Sequence, residues 1–168
     1  MLDNLLKDCN LFVDGRGYAG QIEEITPPKL ATKDEELRAG GMDAPVDVAM
    51  GMEKLTCDFS LVSYEPEVLK LWGLAPGNES QVTIRGALES EQDGTVKAVV
   101  MNLTGRLRES DPGTWKPGER ATLKGSMTLT YYKLTVDGET THEIDVPGYK
   151  RIIDGVDQVA AKRAALGL

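Results

Sequence analysis

Residues 128 to 146 read TLTYYKLTVDGETTHEIDV, and no other stretch limits the fold as tightly. Two segments alternate apolar with polar side chains, the period of a half-buried strand, and Asp137-Gly138 between them suits a tight hairpin because both residues tolerate positive φ. The first segment begins further upstream. From Glu119 to Val136 it would span roughly 60 Å if straight, longer than an ordinary strand, so it must bend or project. Gly86 in IRGAL, Gly105 in LTGRL and Gly125 in LKGSM supply the bending device, since a glycine inside an alternating strand marks a bulge, a corner or the close approach of another backbone. The expected body is mainly β, a strongly curved sheet of long antiparallel hairpins.

Other segments extend this pattern. SQVTIRGALES and TVKAVVMNLTGRLRE pair around Asp93-Gly94. EKLTCDFSLVS, residues 53–63, sets Leu55, Cys57, Phe59 and Leu61 on one side and Lys54, Thr56, Asp58 and Ser60 on the other. CNLFVDG and YAGQIEEIT read as strands, the first ended by a turn at Gly15-Arg16-Gly17 and the second by Pro27-Pro28, which cannot donate to a central ladder. Three pieces read as helical. MLDNLLKD places Leu2, Leu5 and Leu6 on one side of a short helix. EPEVLKLWG has Pro66 in its first turn, Gly73 at its stop and Val68, Leu69 and Trp72 as its buried side. DGVDQVAAKRAALGL has Asp154 and Asp157 near its start, Lys162 and Arg163 near its end, and a narrow apolar face of Val156, Val159, Ala160 and Ala164.

Residues 29–41, KLATKDEELRAGG, are densely charged and fit a helical turn or an extended arm equally. The following MDAPVDVAMGM mixes Met42, Val46, Val48, Met50 and Met52 with Gly and Pro. It reads either as a loop tucked onto the body or as a flexible contact arm at about 40–52. Residues 1–168 are expected to form one domain.

Nothing in the chain announces catalysis. There is no phosphate-binding glycine loop opening a helix, no HExxH, no GxSxG and no EF-hand spacing. The GRGYAG stretch runs into a strand and is turn geometry. His142 is the only histidine, and acid-base or nucleophilic schemes require a partner beside it. Asp34, Glu35 and Glu36 read as solvated charges rather than a cation site, and Glu89 and Glu91 as solubilising carboxylates beside a hairpin turn. Cys9 and Cys57 lack CxxC spacing and are expected to be free thiols. The sequence therefore implies no enzyme, no cofactor and no metal. A net charge of -8 opposes specific nucleic-acid binding and attachment to an anionic membrane. Aromatic residues make up only 5%, too few for a base-stacking platform, and adjacent Tyr131 and Tyr132 must face opposite sides of their strand. No stretch approaches the roughly 20 apolar residues of a membrane span, so no stable membrane anchor is expected. The charged N-terminal stretch also lacks a signal peptide's apolar core, which places folding in a cytoplasm.

What remains is shape. Long hairpin edges without proline or other blunting invite pairing with another copy, and head-to-tail pairing closes into a ring when the rotation permits.

At this point a succession of segments is diagnostic. YAGQIEEITPPKL, ELRAGGMDAPVDVAMGMEKLTCDFSL, EPEVLKLWGL and VTIRGALE resemble the major tail tube proteins of contractile-tail bacteriophages, including the tube subunit of R-type pyocins, and the likeness runs over nearly the whole chain. The resemblance implies a β-sandwich or partial barrel with a short helix and a C-terminal helix. It implies homo-hexameric rings stacked into a hollow tube within a sheath protein, ended by baseplate and tube terminator proteins. Such a tube conducts DNA if it belongs to a phage, or pierces an envelope and passes ions in a pyocin. It would be assembled in the host cytoplasm and end in a virion tail or released particle. On that frame Lys54, Thr56, Asp58, Ser60, Thr83, Arg85 and Glu89 are expected to line the lumen, because barrel closure turns one face inward. Leu2, Leu5, Leu6, Met42, Val46, Val48, Met50 and Met52 are expected at contacts between subunits or rings. A type VI secretion tube protein shares this architecture, although its motifs are missing here. A small-ligand β-barrel would need the apolar interior that the scarcity of Phe and Trp opposes.

Overall fold

The computed structural model describes residues 2–168. Its longest ladders run along β8 (Val96–Asp111) and β9 (Leu123–Val136), which pair antiparallel from Val99↔Val136 to Asp111↔Lys124. On its other edge β9 serves two partners. β6 (Thr56–Leu61) pairs with Leu123–Thr128, and β10 (Glu139–Asp145) pairs with Tyr131–Val136. Between these stretches the register slips from Thr104↔Tyr131 to Gly105↔Leu129, leaving Thr130 as the extra residue of a bulge. A bulge bends its strand and steepens the twist, and this one splits the sheet between two partners on one edge. The long alternating run of the sequence is thus a bent strand, beginning at Leu123 rather than Glu119.

β7 (Ser80–Glu89) continues the sheet beyond β8, followed by β1 (Leu5–Val13) and the two-residue β2 (Arg16–Gly17). β3 (Ile22–Thr26) extends it beyond β6, and β11 (Lys150–Ile153) and β12 (Val156–Asp157) beyond β10, giving ten strands in all. Three Asp-Gly turns, Asp14-Gly15, Asp137-Gly138 and Asp154-Gly155, have positive φ at both residues, the geometry that matches strand twist in two-residue hairpins. At Asp93-Gly94 only the glycine is left-handed, and a wider loop closes through Ser90 and Thr95.

One face of this sheet is the core. Leu123, Met127, Leu129 and Tyr132 of β9 meet Leu103 and Leu107 of β8, Val82 and Ile84 of β7, Leu11 and Val13 of β1, and Cys57, Phe59 and Leu61 of β6. Burying each such side chain contributes about 1.5–3 kcal/mol. The glycines of the sequence argument mark close approach. A Cβ on Gly125 would lie 2.6 Å from Cζ of Phe59, and one on Gly86 would lie 2.9 Å from Cδ1 of Leu6.

Three local expectations are corrected, and one left open is decided in favour of its extended alternative. The N-terminal leucines belong to no helix: Leu5 and Leu6 pair with Glu89 and Leu88 of β7, so they point to opposite faces. Residue 1 of the stretch assigned to that helix lies outside the described residues. Of the helix at residues 65–73 only α1 (Pro66–Leu69) forms, burying Val68 alone. Leu69 and Trp72 are exposed, and the Trp72 indole donates to the Arg108 carbonyl at 3.0 Å. At the C-terminus Asp154 lies in a hairpin turn and Asp157 in β12, because β11 takes an antiparallel partner before α2 (Ala160–Ala165) begins. The face assigned to that helix is dispersed, with Val156, Ala160 and Ala164 exposed and Val159 half-buried. Finally, the ambiguous charged segment is a strand, β4 (Thr32–Leu37), paired with β5 (Val46–Met52) in a separate two-stranded sheet.

Candidate assembly surfaces

The face opposite the core is polar by register. Thr56 and Asp58 of β6 stand across from Thr128 and Ser126 of β9, which in turn stand across from Arg106 and Glu109 of β8. Thr83 of β7 faces Asn102 of β8, their side chains 3.4 Å apart. Arg85 lies on the same side with its guanidinium 5.9 Å from the Phe12 ring centroid, a cation–π contact. Glu89 follows at the same parity. The β6 set and the β7 set, separated in sequence, therefore share one sheet face. At its β3–β6 end the face holds a depression of about 350 Å³ in which Glu24, Asp58, Glu109 and Asp111 outnumber Arg108 and Lys124. Two expected members stand apart. Ser60 has the right parity but is covered, only 3% exposed, and its hydroxyl has no partner. Lys54 precedes β6 and lines an apolar groove with Ile144, Val146 and Tyr149.

Sequence reading missed Tyr131 on this polar face. Its hydroxyl donates to Glu143 at 3.0 Å, and burial together with that carboxylate pushes its pKa up to about 12, so it stays a donor at neutral pH. The adjacency of two tyrosines predicted one outward ring without telling which.

The second surface is the β4–β5 hairpin. Leu37 stands across from Val46 and Glu35 across from Val48, while Asp34 and Glu36 oppose Ala49 and Asp47. Strand parity therefore puts Leu37, Val46, Val48 and Met50 on one side, with Glu35 among them, and Asp34, Glu36 and Asp47 on the other with Ala49. Neither side is covered: every residue of β4 is exposed, as are Val46–Gly51 of β5. Met52 is different, packed against the core at the base of the arm. Met42 belongs to the tip, where its carbonyl accepts from Arg38 Nε at 3.3 Å. The arm is thus a paired hairpin, and the segment at 40–52 is half tip and half strand. Leu37 was missed because its neighbours are charged and no burial imposes alternation on them.

The N-terminal leucines are elsewhere. Leu2 and Leu6 are exposed, and their segment is stitched to the β7–β8 loop by the Leu2 carbonyl with Glu91 N–H, by Ser90 with Asp3, and by the Lys7–Glu91 ion pair. The base of the arm instead adjoins Ile144, Arg151 and Ile153 of β10 and β11. One chain does not gather the two groups of contact candidates.

Among the described residues no group of His, Cys, Asp and Glu is placed to hold a metal ion, and no helix is long and apolar enough to cross a membrane. Residues 3–167 match the family model described as phage tail tube protein FII. The chain belongs to that family.

Among its relatives, the tail tube protein of Escherichia phage P2 is 32% identical over 166 residues, which span 97% of this chain and 96% of the relative. The major tail tube protein of Serratia phage KSP20 is 33% identical over 151 residues, 87% of this chain and 86% of that one. The fold of this tail tube protein also matches solved structures of an extracellular contractile injection system. A chain of the PVC sheath–tube complex in its extended state superposes with a TM-score of 0.58 at 7% identity, covering 76% of this chain and 87% of that one. A chain of the PVC sheath/tube terminator structure gives 0.59 at 7% identity, covering 76% and 92%. As a member of this family the protein is a structural tube subunit, part of a tail or particle, and not an enzyme.

Proposed function

We propose that six copies of this tail tube protein close into a ring, and that the rings stack as the hollow inner tube of a contractile tail. The observation that carries this reading is the two-sided β4–β5 arm. A two-stranded hairpin is marginal alone in water, and this one presents Leu37, Val46, Val48 and Met50 to solvent. A neighbouring copy that covers that side gains about 25 cal/mol for each Å² of apolar surface removed from water. The polar sheet face bearing Thr56, Asp58, Thr83, Arg85 and Glu89 lines the bore. There the carboxylates of the β3–β6 end repel a polyanion, so DNA slides without sticking. Sheath protein surrounds the tube, and baseplate and terminator proteins end it. The subunits assemble in the host cytoplasm, and the tube passes DNA if the particle carries a capsid or ions if it does not.

Deleting Pro45–Met50 tests the role of the arm. The shortened chain is expected to keep the wild-type near-ultraviolet circular dichroism and to form no tubes under conditions where the wild type does. Tubes of wild-type appearance from the deletion variant would refute it.

A further inference from the structure

The groove at the base of the arm is opposite in charge to the chain that bears it. Acids outnumber bases 27 to 19 overall, yet around this cavity of about 290 Å³ stand Lys54, Lys150, Arg151 and Lys162 against only Glu53 and Asp145. None of the four cations has an ion-pair partner among the described residues. Arg151 also keeps a buried Nε with no acceptor, a donor whose cost is relieved only when a partner arrives. Between the cations the lining is apolar, with Leu55, Ile144 and Val146. One wall is fixed before anything binds. The Asp145 carboxylate accepts from Gly148 N–H at 3.0 Å, and the carbonyl of Tyr149, a residue with φ of 51°, accepts from Arg163 at 3.0 Å.

The arm has the complementary chemistry and is turned away from its own groove. Glu35 shares a side with Leu37, Val46, Val48 and Met50, and Asp34, Glu36 and Asp47 lie just behind it. These four carboxylates have no ion-pair partner among the described residues either. The arm residues that line the chain's own groove include Ala49 and Gly51, whose parity is opposite to that of Val48 and Met50. The apolar strip therefore faces away, and one chain cannot lay its own strip in its own groove without turning the hairpin over. A surface and its complement on different sides of one subunit meet between copies, in the head-to-tail contact that closes a ring or propagates a stack.

We propose that the groove framed by Lys54, Lys150, Arg151 and Lys162 receives the apolar strip of a second copy's arm, with the Glu35 carboxylate of that arm set among the cations. The inference rests on the ring assembly proposed above and adds where the arm seats and what sets its register. Covering Leu37, Val46 and Val48 supplies the non-directional part of the contact. The charges decide how the strip lies, since a shifted arm would leave Glu35 away from its partners. Lys54, Lys150 and Lys162 are exposed in the free subunit, as is Glu35, so the same charges draw arm and groove together before contact, over a Debye length of about 10 Å at 0.1 M salt.

Full-length variants followed by light scattering and negative-stain microscopy test this, with near-ultraviolet circular dichroism reporting the fold of each. Lys150→Glu with Lys162→Glu reverses the groove, and Glu35→Lys reverses the arm. Each variant alone is expected to raise the concentration needed for assembly about tenfold or more, because it sets like charges against each other. Mixed in equal amounts, the two are expected to form tubes near the wild-type threshold, since the arm of each then meets a groove of opposite charge on the other. Where the doubly reversed groove does not fold, Lys162→Glu alone, an exposed position on α2, takes its place in the mixture. A folded groove variant that assembles at the wild-type threshold, or a mixture no better than its parts, overturns the seating of the arm while leaving ring assembly intact. A wild-type chain that never assembles overturns the ring reading itself.

Discussion

A Cβ placed on Gly105 would lie 2.1 Å from the carbonyl oxygen of Thr128, so at the bulge β8 and β9 are in backbone contact with no room between them. The obstruction is main chain, which cannot swing aside as a side chain does. Gly105→Ala must therefore separate the two longest strands of the sheet. Overpacking a core typically costs 1–3 kcal/mol, and this variant is expected at or above the upper end, about 3 kcal/mol. Urea unfolding of the subunit measures it. A loss below about 1 kcal/mol would mean that the strands part at this point without disturbing the core.

Asp157 and Arg163 tie α2 to the sheet. Arg163 Nη1 donates to Asp157 Oδ2 at 2.7 Å and to the Tyr149 carbonyl at 3.0 Å. The hydrogen bond from Arg163, followed by that from the Val159 amide, holds the Asp157 carboxyl below its ordinary value of 3.8. A carboxylate whose folded pKa is depressed stabilises the fold fully above its unfolded pKa and loses that contribution as pH falls through the folded one. Amide protection factors in residues 157–166, with exchange normalised to its intrinsic rate at each pH, are therefore expected to be high at pH 6 and to fall below about pH 4. Asp157→Asn should raise exchange already at pH 6 and flatten the acid dependence. An acid limb equally steep in that variant would assign it to other carboxylates.

The two cysteines differ in chemistry. Cys57 is fully buried in the core, and desolvation, with Asp58 adding to it, pushes its thiol up to about 12. Cys9 is exposed on β1. Since the thiolate is the nucleophile, a thiol reagent at pH 8 is expected to label Cys9 quickly and Cys57 only after denaturation, which mass spectrometry of the native and unfolded protein will show. Rapid native labelling at Cys57 would place that thiol outside the core.

How far the fold was legible depended on whether burial wrote a pattern into the sequence. Leu55, Cys57, Phe59 and Leu61 alternate because one face of β6 is core, and all four are buried as expected. The β7–β8 and β9–β10 hairpins carried the same signal, each marked by Asp-Gly. At the N-terminus Leu2, Leu5 and Leu6 have helical spacing, yet pairing with β7 decides the conformation, as tertiary context overrides local propensity. The C-terminal segment was misread for a related reason: Asp154-Gly155 opens a hairpin, and Asp157 ends up facing Arg163 across a turn. The arm was opaque because TKDEEL has neither side buried in the subunit. Which face looks into a bore is written in contacts between copies, which one chain's alternation does not encode.

On the assembly proposed here, a single copy leaves edges and an arm that only its siblings complete. Sedimentation velocity of the purified full-length chain over a rising concentration series, with microscopy of the same samples, tests it most directly. A six-copy species growing into hollow tubes of uniform width is expected. A compact monomer at every concentration, with no rings or tubes on the grid, would contradict it.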